Sequence, residues 1–279
     1  MESGFKGKTI VLTVSVDDFI LACPGSNDEW DSIRDKVNGN RTTVPTPAGR
    51  VLGVHHHFTP DGTTIETEID MVDYFNQSVE MYGSHVGSKQ CPIKEKVHYP
   101  WYEPTLPEIQ NVDEAGIKTV FGHCAASLLM KLLYAARMVR LDICYSINCL
   151  SRYVTRWNPL CDKQLSHLFA YLLQSKVSKL HATIDTMESE TVELHAYPDA
   201  DLAGSYDSTR ATSGGFIHLS GVNTFFQLDW YSKRQTATSH STTEAELISA
   251  SKMLRDSLIP LMGLWTVMLD REIEGKLFE

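Results

Sequence analysis

The sequence has no apolar run of the ~18 residues that a membrane-spanning helix needs, which excludes a helical membrane protein. Its first residues lack the basic-then-apolar order of a secretory signal peptide. Its six cysteines show no Cys-x-x-Cys spacing and mostly lie in apolar, helix-like surroundings. Buried, reduced thiols are therefore expected rather than a disulfide framework. We expect an intracellular protein, cytoplasmic or nuclear, without a membrane partner.

The bulk composition is that of a globular chain, with 42% hydrophobic and 22% charged residues and no internal repeat or low-complexity tract. A length of 279 residues leaves room for one large domain or two of ordinary size. The net charge of −10 at pH 7 by itself argues against nucleic acid as a partner.

The charge is unevenly distributed along the chain. Residues 121–180 contain eight basic and two acidic side chains, whereas residues 1–120 contain ten basic and 18 acidic ones. A basic block between acidic ones is expected where one segment contacts phosphates while its neighbours hold cations. A helical segment whose lysines and arginines are simply solvated gives the same pattern. Both interpretations stay open at this point.

Hydrophobic periodicity in the first half of the chain predicts both strands and helices. The first 60 residues carry the signals of a β-hairpin, a helix near Asn27–Val37 and a strand near Arg50–Phe58. Four prolines between residues 91 and 110 exclude a long helix there and predict an extended connector. From residue 121 to 180, apolar residues recur at helical spacing and predict three helices.

From residue 191 the period changes to that of strands. Three strands in a meander are predicted, with a turn at residues 220–223 between the second and the third. Helices are predicted to follow over Ala245–Met253 and Leu258–Leu269. The predicted fold class of the chain is therefore α+β.

Two adjacent carboxylates, Asp17 and Asp18, interrupt an apolar run between Thr9 and Ala22. Two short β-branched runs joined at an acidic tip predict a hairpin that holds both carboxylates at its turn. Hard divalent cations bind oxygen ligands, so such a tip is a candidate metal site. An ordinary surface turn that uses Asp for its geometry is the alternative.

A second pair of acids lies farther along the chain. Asp199 ends the first strand of the meander, and Glu246 lies in the first turns of the helix that follows the third strand. A strand-end and a helix-start carboxylate can converge on one metal, and two-metal nucleases hold their cations about 3.5–4 Å apart with such acids. Glu244 competes for the role. We favour Glu246 because apolar residues follow it, so the helix face just beyond it is expected to pack inward.

Four strings in this region resemble the motifs of one known family. In order, they are YPDADLAG (197–204), STRATSGGF (208–216), WYSKRQ (230–235) and STTEAEL (241–247). They resemble DADWAG, RRSTSGY, WxSKKQ and SSTEAEY of the ribonuclease H domain of copia-type LTR retrotransposon Pol polyproteins, in the same order and at similar spacing. Four ordered motifs over roughly fifty residues make this resemblance specific.

The upstream chain resembles the same polyproteins. The string SVDD (15–18) resembles the YVDD box of the reverse transcriptase, and VLGV (51–54) resembles the strand after it. The resemblance implies four parts: the C-terminal part of a reverse transcriptase palm, with its hairpin (1–60); a Pro-rich connector (61–120); a basic helical thumb or connection segment (121–185); and a ribonuclease H-like three-stranded meander followed by helices, truncated at the C-terminus (190–279).

The resemblance also implies an activity, which in the intact parent is RNA-directed DNA synthesis with ribonuclease H cleavage. Asp17 and Asp18 match the catalytic, metal-binding acids of the polymerase, and Asp199 and Glu246 match those of the ribonuclease H. The implied cofactor is Mg²⁺ in two-metal sites. The implied partners are an RNA–DNA hybrid or RNA template and other segments of the Pol polyprotein. The basic residues implied to grip the hybrid through its phosphates and shape are Arg140, Arg152, Arg156, Lys163 and Lys176.

Departures from the family pattern lower the expected activity of this chain. Ser15 replaces the tyrosine of the polymerase box, and the sixteen residues before Asp17 are too few for the strand that carries the remaining polymerase aspartate. The third ribonuclease H acid has no counterpart, because Asp270 precedes the strand that should carry it. We expect both metal sites to be present only in part, with little or no polymerase turnover. The alternative is a catalytically degenerate relic that binds nucleic acid without cleaving it.

Three lesser signals have structural alternatives. The run His55-His56-His57 could bind a transition metal, but alternate residues of a strand point to opposite faces, which favours an accidental run. Trp101 and its neighbouring tyrosines could stack on bases or pin the Pro-rich connector to the body of the protein. His240 and Ser241 beside Glu244 are explained by helix capping rather than by a hydrolase triad.

Overall fold

The computed structural model describes residues 11–15, 18–22, 49–86, 96–110, 118–202, 204 and 208–278. These residues form a two-stranded hairpin and an eight-stranded sheet, together with helices. The mixed content and the largely antiparallel sheet agree with the predicted α+β class.

The predicted N-terminal hairpin is confirmed in its two strands. β1 (Val11–Ser15) pairs antiparallel with β2 (Asp18–Ala22), and Ser15 lies opposite Asp18. The tip that joins them, and the helix predicted near Asn27–Val37, lie outside the described residues.

The large sheet contains eight strands within the described residues. They are β3 (Arg50–Val51), β4 (Val54–Asp61), β5 (Thr64–Asp70), β6 (Leu180–Asp185), β7 (Glu193–Asp201), β8 (Thr212–Ser220), β9 (Phe225–Arg234) and β10 (Gly275–Leu277). Their spatial order is β10-β7-β8-β9-β6-β5-β4-β3. Neighbouring strands are antiparallel, except that β10 runs parallel to β7. The predicted meander of three strands is confirmed as β7, β8 and β9.

Seven α-helices accompany the strands in this described part of the chain. They are α1 (Val72–Val86), α2 (Leu106–Gln110), α3 (Ala125–Met138), α4 (Cys144–Ser151), α5 (Pro159–Ser175), α6 (Thr242–Met253) and α7 (Ile259–Leu269). Short 3₁₀ turns lie at Leu141–Ile143 and Thr186–Glu188, and a π-helical turn at Leu254–Leu258 joins α6 to α7. The three helices predicted over residues 121–180 are confirmed as α3, α4 and α5.

The interval 61–120 needs a correction, because it is not a connector throughout. Thr64–Asp70 forms β5 and Val72–Val86 forms α1. The buried residues of α1, Phe75, Ser78 and Tyr82, recur every three or four positions, as expected for a helix with one inward face. Only the Pro-rich part keeps the predicted extended form, since residues 96–105 contain neither helix nor strand.

The sheet separates two apolar clusters. On one face, buried residues of α1, α3, α4 and α5 pack with Trp230 of β9. On the other face, Met253 of α6 and Leu258 pack on Leu194, together with the ring of Tyr231. Trp230 and Tyr231 are consecutive, and successive residues of a strand point to opposite faces. The helices therefore cover both faces of the sheet.

The meander joins the rest of the sheet through a narrow contact. β6 and β9 share one paired position, Thr183 opposite Phe225. Side chains reinforce this contact: Trp230 Nε1 donates to Ala136 O at 2.7 Å, and Gln227 Nε2 donates to His181 O at 2.9 Å.

Two further features bear on the sequence predictions. Among the helices of the described residues, none combines the length and apolar character needed to cross a bilayer. The four cysteines that lie in the described part of the chain, Cys124, Cys144, Cys149 and Cys161, are free thiols, and three of them are buried.

Candidate functional site

The four motif strings meet at one corner of the large sheet. Asp199 at the end of β7 lies opposite Gly214 of β8, and Gly214 lies opposite Ser232 of β9. Beyond the end of β9, the side-chain nitrogen Nε2 of Gln235 donates to Ser213 Oγ at 3.0 Å and to Ala245 O of α6 at 2.9 Å. Segments up to fifty residues apart in the sequence are thus joined around a single corner.

Ser249 fixes helix α6 to this corner. Its hydroxyl donates to the carbonyl oxygen of Asp199 at 2.8 Å and lies 3.2 Å from the carbonyl oxygen of Gly214. Glu246 precedes Ser249 by three residues, and such residues are neighbours on a helix surface, with Cβ atoms about 5–6 Å apart. The turn that carries Glu246 therefore lies close to the backbone of Asp199.

The two candidate carboxylates approach the corner from different sides. Leu194 and Ala196 of β7 are buried in the cluster that contains Met253 of α6. Side chains alternate along a strand, so Asp199 lies on the opposite face, where it is exposed. Glu246 is partly buried on α6.

The reason given for preferring Glu246 over Glu244 needs correction. The inward face of α6 consists of Ala245, Ser249 and Met253, whereas Leu247 just after Glu246 is 63% exposed. The face of α6 that packs on the sheet is therefore the one that carries Ala245, Ser249 and Met253, and Leu247 does not belong to it.

Glu244 has a structural task in the helix cap. Ser241 Oγ accepts from Glu244 N at 3.1 Å, and the Glu244 carboxylate accepts from His240 N at 2.7 Å. This pair resembles a capping box, except that the glutamate accepts from His240, the residue before the N-cap Ser241. The prediction that capping explains His240 and Ser241 is confirmed. The carboxylate of Glu244 is bonded to the backbone of the helix cap and not to the corner.

Gly215 permits the close approach of α6 to β8. A Cβ atom at this position would lie 2.4 Å from Met253 Cε and 2.5 Å from the ring of Tyr231. A glycine is therefore required here by packing, which explains one residue of the second motif without any role in chemistry.

A shallow pocket lies beside Asp201, which shares the exposed face of β7 with Asp199. Its lining residues come from the Pro-rich segment, from α4 with the turn after it, and from the loop after β7; they are Trp101, Glu103, Tyr145, Cys149, Arg152, Tyr153 and Gly204. A side chain on Gly204 would collide with the carboxylate of Asp201, so the two are in direct contact. Burial, Cys149 and the nearby charge of Asp201 raise the pKa of Tyr145. Sequence reasoning missed Glu103 and Tyr145, since nothing local marks them as site residues.

Arg140, one of the five predicted nucleic-acid contacts, is 3% exposed. Its guanidinium donates to both carboxylate oxygens of Asp142, at 2.9 and 2.7 Å, and to the carbonyl and hydroxyl oxygens of Ser175 at 2.8 Å. All of these contacts are internal, so Arg140 holds the end of α5 to the segment after α3.

The other four predicted contacts are more accessible. Arg152 lies at the pocket, where one terminal nitrogen donates to Thr212 Oγ1 at 3.0 Å. Its buried Nε has no hydrogen-bond partner among the residues that the structure describes. Arg156 is exposed and stacks on the ring of Tyr153 at 4.7 Å. Lys163 is paired with Glu108, and Lys176 is partly exposed at the end of α5. The structure brings Arg152, but not the whole set, to the corner.

The remaining sequence candidates either lie away from the corner or fall outside the described residues. Asp17 and the side chain of Asp18 are outside the described residues, so the predicted polymerase pair stays a prediction. Asp270 caps the end of α7 in a left-handed conformation, with φ 54°. The histidine run alternates as predicted, because His57 lies 3.1 Å from the carboxylate of Asp70 while His56 stacks beside Phe58.

The aromatic residues of the Pro-rich segment pin it to the helices. Trp101 packs edge-on against Tyr145, and Tyr102 against His167, with ring centroids 5.6 and 5.5 Å apart. The carbonyl oxygen of Tyr99 lies 2.9 Å from His167 Nε2. Of the two alternatives for these aromatics, attachment to the body of the protein is the one observed.

No protein-family model and no solved structure matches this chain. Among curated proteins, it is 31% identical to the retrovirus-related Pol polyprotein from transposon RE1 of Arabidopsis thaliana, over 40% of this chain and 7% of that polyprotein. It is 23% identical to a putative transposon Ty5-1 protein of Saccharomyces cerevisiae, over 88% of this chain and 73% of that protein. It is also 26% identical to secreted RxLR effector protein 161 of Plasmopara viticola, over 52% of this chain and 92% of the effector. The chain thus spans a small part of the plant polyprotein and most of the two shorter relatives.

Proposed function

We propose that this chain, whose sequence is related to the Pol polyproteins of copia-type retrotransposons, is a segment of such a protein that binds an RNA–DNA hybrid. The supporting observation is the convergence of the four motif strings on one corner of the sheet. Asp199, Gly214 and Ser249 are joined there by strand pairing and by one hydroxyl.

The proposed chemistry is ribonuclease H cleavage with Asp199 and Glu246 as Mg²⁺ ligands. Both offer carboxylate oxygens, the donor type that Mg²⁺ prefers, and the exposure of Asp199 leaves room for water ligands and a phosphate. Bound Mg²⁺ would activate a water molecule and stabilise the leaving oxygen. The donor type of both residues therefore suits the ion, and Mg²⁺ binding requires the two carboxylates to reach one site from the two sides of the corner.

The proposed hybrid-binding surface runs from the corner to the pocket beside Asp201. Arg152 lines the pocket and Arg156 stacks on Tyr153 beside it, so both supply positive charge at this side. Hybrid duplexes are recognised through phosphates, 2′-hydroxyls and shape. Such a surface needs no base-reading motif.

The proposed division of the chain follows the same resemblance. Residues 190–279 belong to the ribonuclease H-like part, residues 121–185 to the connection, and residues 1–60 to a reverse transcriptase palm with Asp17 and Asp18 as its metal ligands. Deletion of residues 1–48, which precede the large sheet, should leave hybrid binding intact.

The test is Mg²⁺ binding by calorimetry and cleavage of an end-labelled RNA–DNA hybrid by the full chain. We expect Asp199→Asn and Glu246→Gln each to weaken Mg²⁺ binding by about tenfold, equivalent to ~1.4 kcal/mol, and to reduce cleavage. Glu80→Gln, which changes an exposed acid on α1, is the matched control and should behave as the wild type. Equal Mg²⁺ affinity in all three variants would contradict the proposed metal site.

A second candidate function is hybrid binding without cleavage. The observation that favours it is the placement of Asp199 and α6 on opposite faces of the sheet, which separates the two carboxylates. In that case the hybrid binds, its affinity falls steeply with added salt, and no product forms with Mg²⁺. Asp199→Asn would then leave the affinity for hybrid unchanged.

A further inference from the structure

Two imidazoles and a thiol meet where α1 ends and α3 begins, away from the motif corner. His85 lies in the last turn of α1, and His123 and Cys124 immediately precede α3. One nitrogen of each histidine and the sulfur of Cys124 all lie within 4.8 Å of one another. Across the residues that the structure describes, no other three His, Cys, Asp or Glu side chains form a group of this kind.

The donor set specifies the class of metal. Imidazole nitrogen and thiolate sulfur are the ligands of Zn²⁺, whereas Mg²⁺ and Ca²⁺ require oxygen. We infer that His85, His123 and Cys124 bind Zn²⁺, with the fourth tetrahedral position open to water. This site is separate from the proposed Mg²⁺ ligands and does not depend on the proposed function.

The three ligand atoms lie slightly farther apart than in a tetrahedral Zn²⁺ site. In a tetrahedral Zn²⁺ site, with bonds near 2.0–2.1 Å to nitrogen and 2.3 Å to sulfur, ligand atoms lie roughly 3.3–3.6 Å apart. His123 is exposed and His85 is partly exposed, so both rings have room to rotate. The rings already stand edge to face, with centroids 5.3 Å apart. About 1 Å of movement by side chains at the surface closes the set.

Hydrogen bonds of the surrounding backbone hold Cys124 in place. Cys124 occupies the N-cap position of α3, yet its side chain makes no capping hydrogen bond. Its backbone nitrogen donates to Phe121 O at 2.9 Å. The carboxylate of Asp162 accepts from the backbone nitrogens of Val120 and Phe121 at 2.6 and 3.0 Å. The turn that presents His123 and Cys124 is therefore fixed by α5.

The α1 side is fixed against the same turn. Tyr82, one helical turn before His85, stacks on Phe121 at 5.0 Å and on Phe169 at 4.1 Å between ring centroids. Its hydroxyl donates to Ser166 Oγ at 3.0 Å. Because packing already sets the separation of the two ligand-bearing elements, metal binding orders only the side chains.

Charge at the site favours a cation. Burial, and after it the negative charge of Asp162, raise the pKa of the Cys124 thiol, so a thiolate here requires a cation beside it. A bound Zn²⁺ would compensate for this negative charge and for the thiolate. It would also clamp the end of α1 to the start of α3, so we expect Zn²⁺ to raise the melting temperature of the chain.

The test uses the full chain, dialysed against Zn²⁺ or Co²⁺ and then freed of excess metal. We expect the chain to bind one Zn²⁺ through His85, His123 and Cys124, and to show a thiolate-to-metal charge-transfer band with Co²⁺. Cys124→Ser should abolish the band, and His123→Asn should weaken Co²⁺ binding by about 100-fold. The matched controls are Cys144→Ser and His240→Asn, which remove a thiol and an exposed imidazole outside the cluster and should keep both properties.

A separate measurement shows whether a variant loses metal binding because it fails to fold. Because His123 is exposed, His123→Asn should leave the metal-free melting temperature unchanged while abolishing the rise caused by Zn²⁺. A charge-transfer band that persists in Cys124→Ser would overturn the inference. A folded wild-type chain that gains no melting temperature from Zn²⁺ would do the same.

Discussion

At the scale of single residues, burial separates a structural arginine from those available to a ligand. Arg140 is buried, and its guanidinium donates hydrogen bonds to Asp142 and Ser175. Burial tends to raise the pKa of Asp142, but the hydrogen bonds and charge of Arg140, with the hydroxyl of Tyr171, outweigh it and lower that pKa below its ordinary value. The basic block in the sequence therefore mixes residues of different roles.

We predict that Arg140→Ala lowers the free energy of unfolding by about 1.5–3 kcal/mol at pH 7, because it removes the buried guanidinium whose charged hydrogen bonds join Asp142 to Ser175. The folded-state pKa of Asp142 is depressed, so the contribution of this pair is complete above the unfolded pKa of about 3.9 and is lost as the pH falls through the folded value. Urea unfolding at pH 7 and near pH 3 measures both effects. Arg137→Ala, at an exposed position on α3, should change the free energy by less than about 0.5 kcal/mol.

At the scale of elements, neighbouring glycines of β8 provide a matched pair. A Cβ on Gly215 would meet Met253 and the ring of Tyr231, whereas a Cβ on Gly214 would meet no atom within 4 Å. We predict that Gly215→Ala lowers the free energy of unfolding by about 1–3 kcal/mol, because it overpacks the contact between α6 and the sheet. Gly214→Ala should leave it nearly unchanged. Equal losses in the two variants, measured by urea unfolding, would show that α6 does not pack as described.

Local signals predicted the elements whose periodicity is strong. The meander and helices α3 to α5 were predicted because their apolar residues repeat at strand and helix spacing. Helix α1 was missed although Phe75, Ser78 and Tyr82 repeat at helical spacing, because two of its inward residues, Ser78 and Tyr82, carry hydroxyl groups. Strand β10 is only three residues long and has no periodic signal to detect.

At the scale of the whole molecule, the sequence does not reveal which distant segments pair. β5 pairs with β6 across more than a hundred residues, as between Ile69 and Leu180, and this contact carries no local signature. The candidate site shows the same limit. The motifs identified Asp199 and Glu246, but the faces from which they approach the corner depend on how α6 crosses β7.

The narrow contact between β6 and β9 makes Trp230 decisive for the cooperativity of the chain. Strand pairing there is limited to Thr183 and Phe225, whereas Trp230 is buried among the helices of the first cluster and bonded to Ala136. We predict that, as urea is added, the amide hydrogens of β4–β5 and those of β7–β8 lose their protection from exchange together in the wild type. Trp230→Ala should lower the free energy of unfolding by about 3–5 kcal/mol and separate the two transitions. Hydrogen exchange of peptides from each part, followed through urea, measures this. Trp230→Phe keeps an aromatic ring and should keep one transition, at a cost of about 1 kcal/mol for the lost hydrogen bond. Coincident transitions in Trp230→Ala would assign the coupling to other contacts across this junction, such as that of Gln227 with His181.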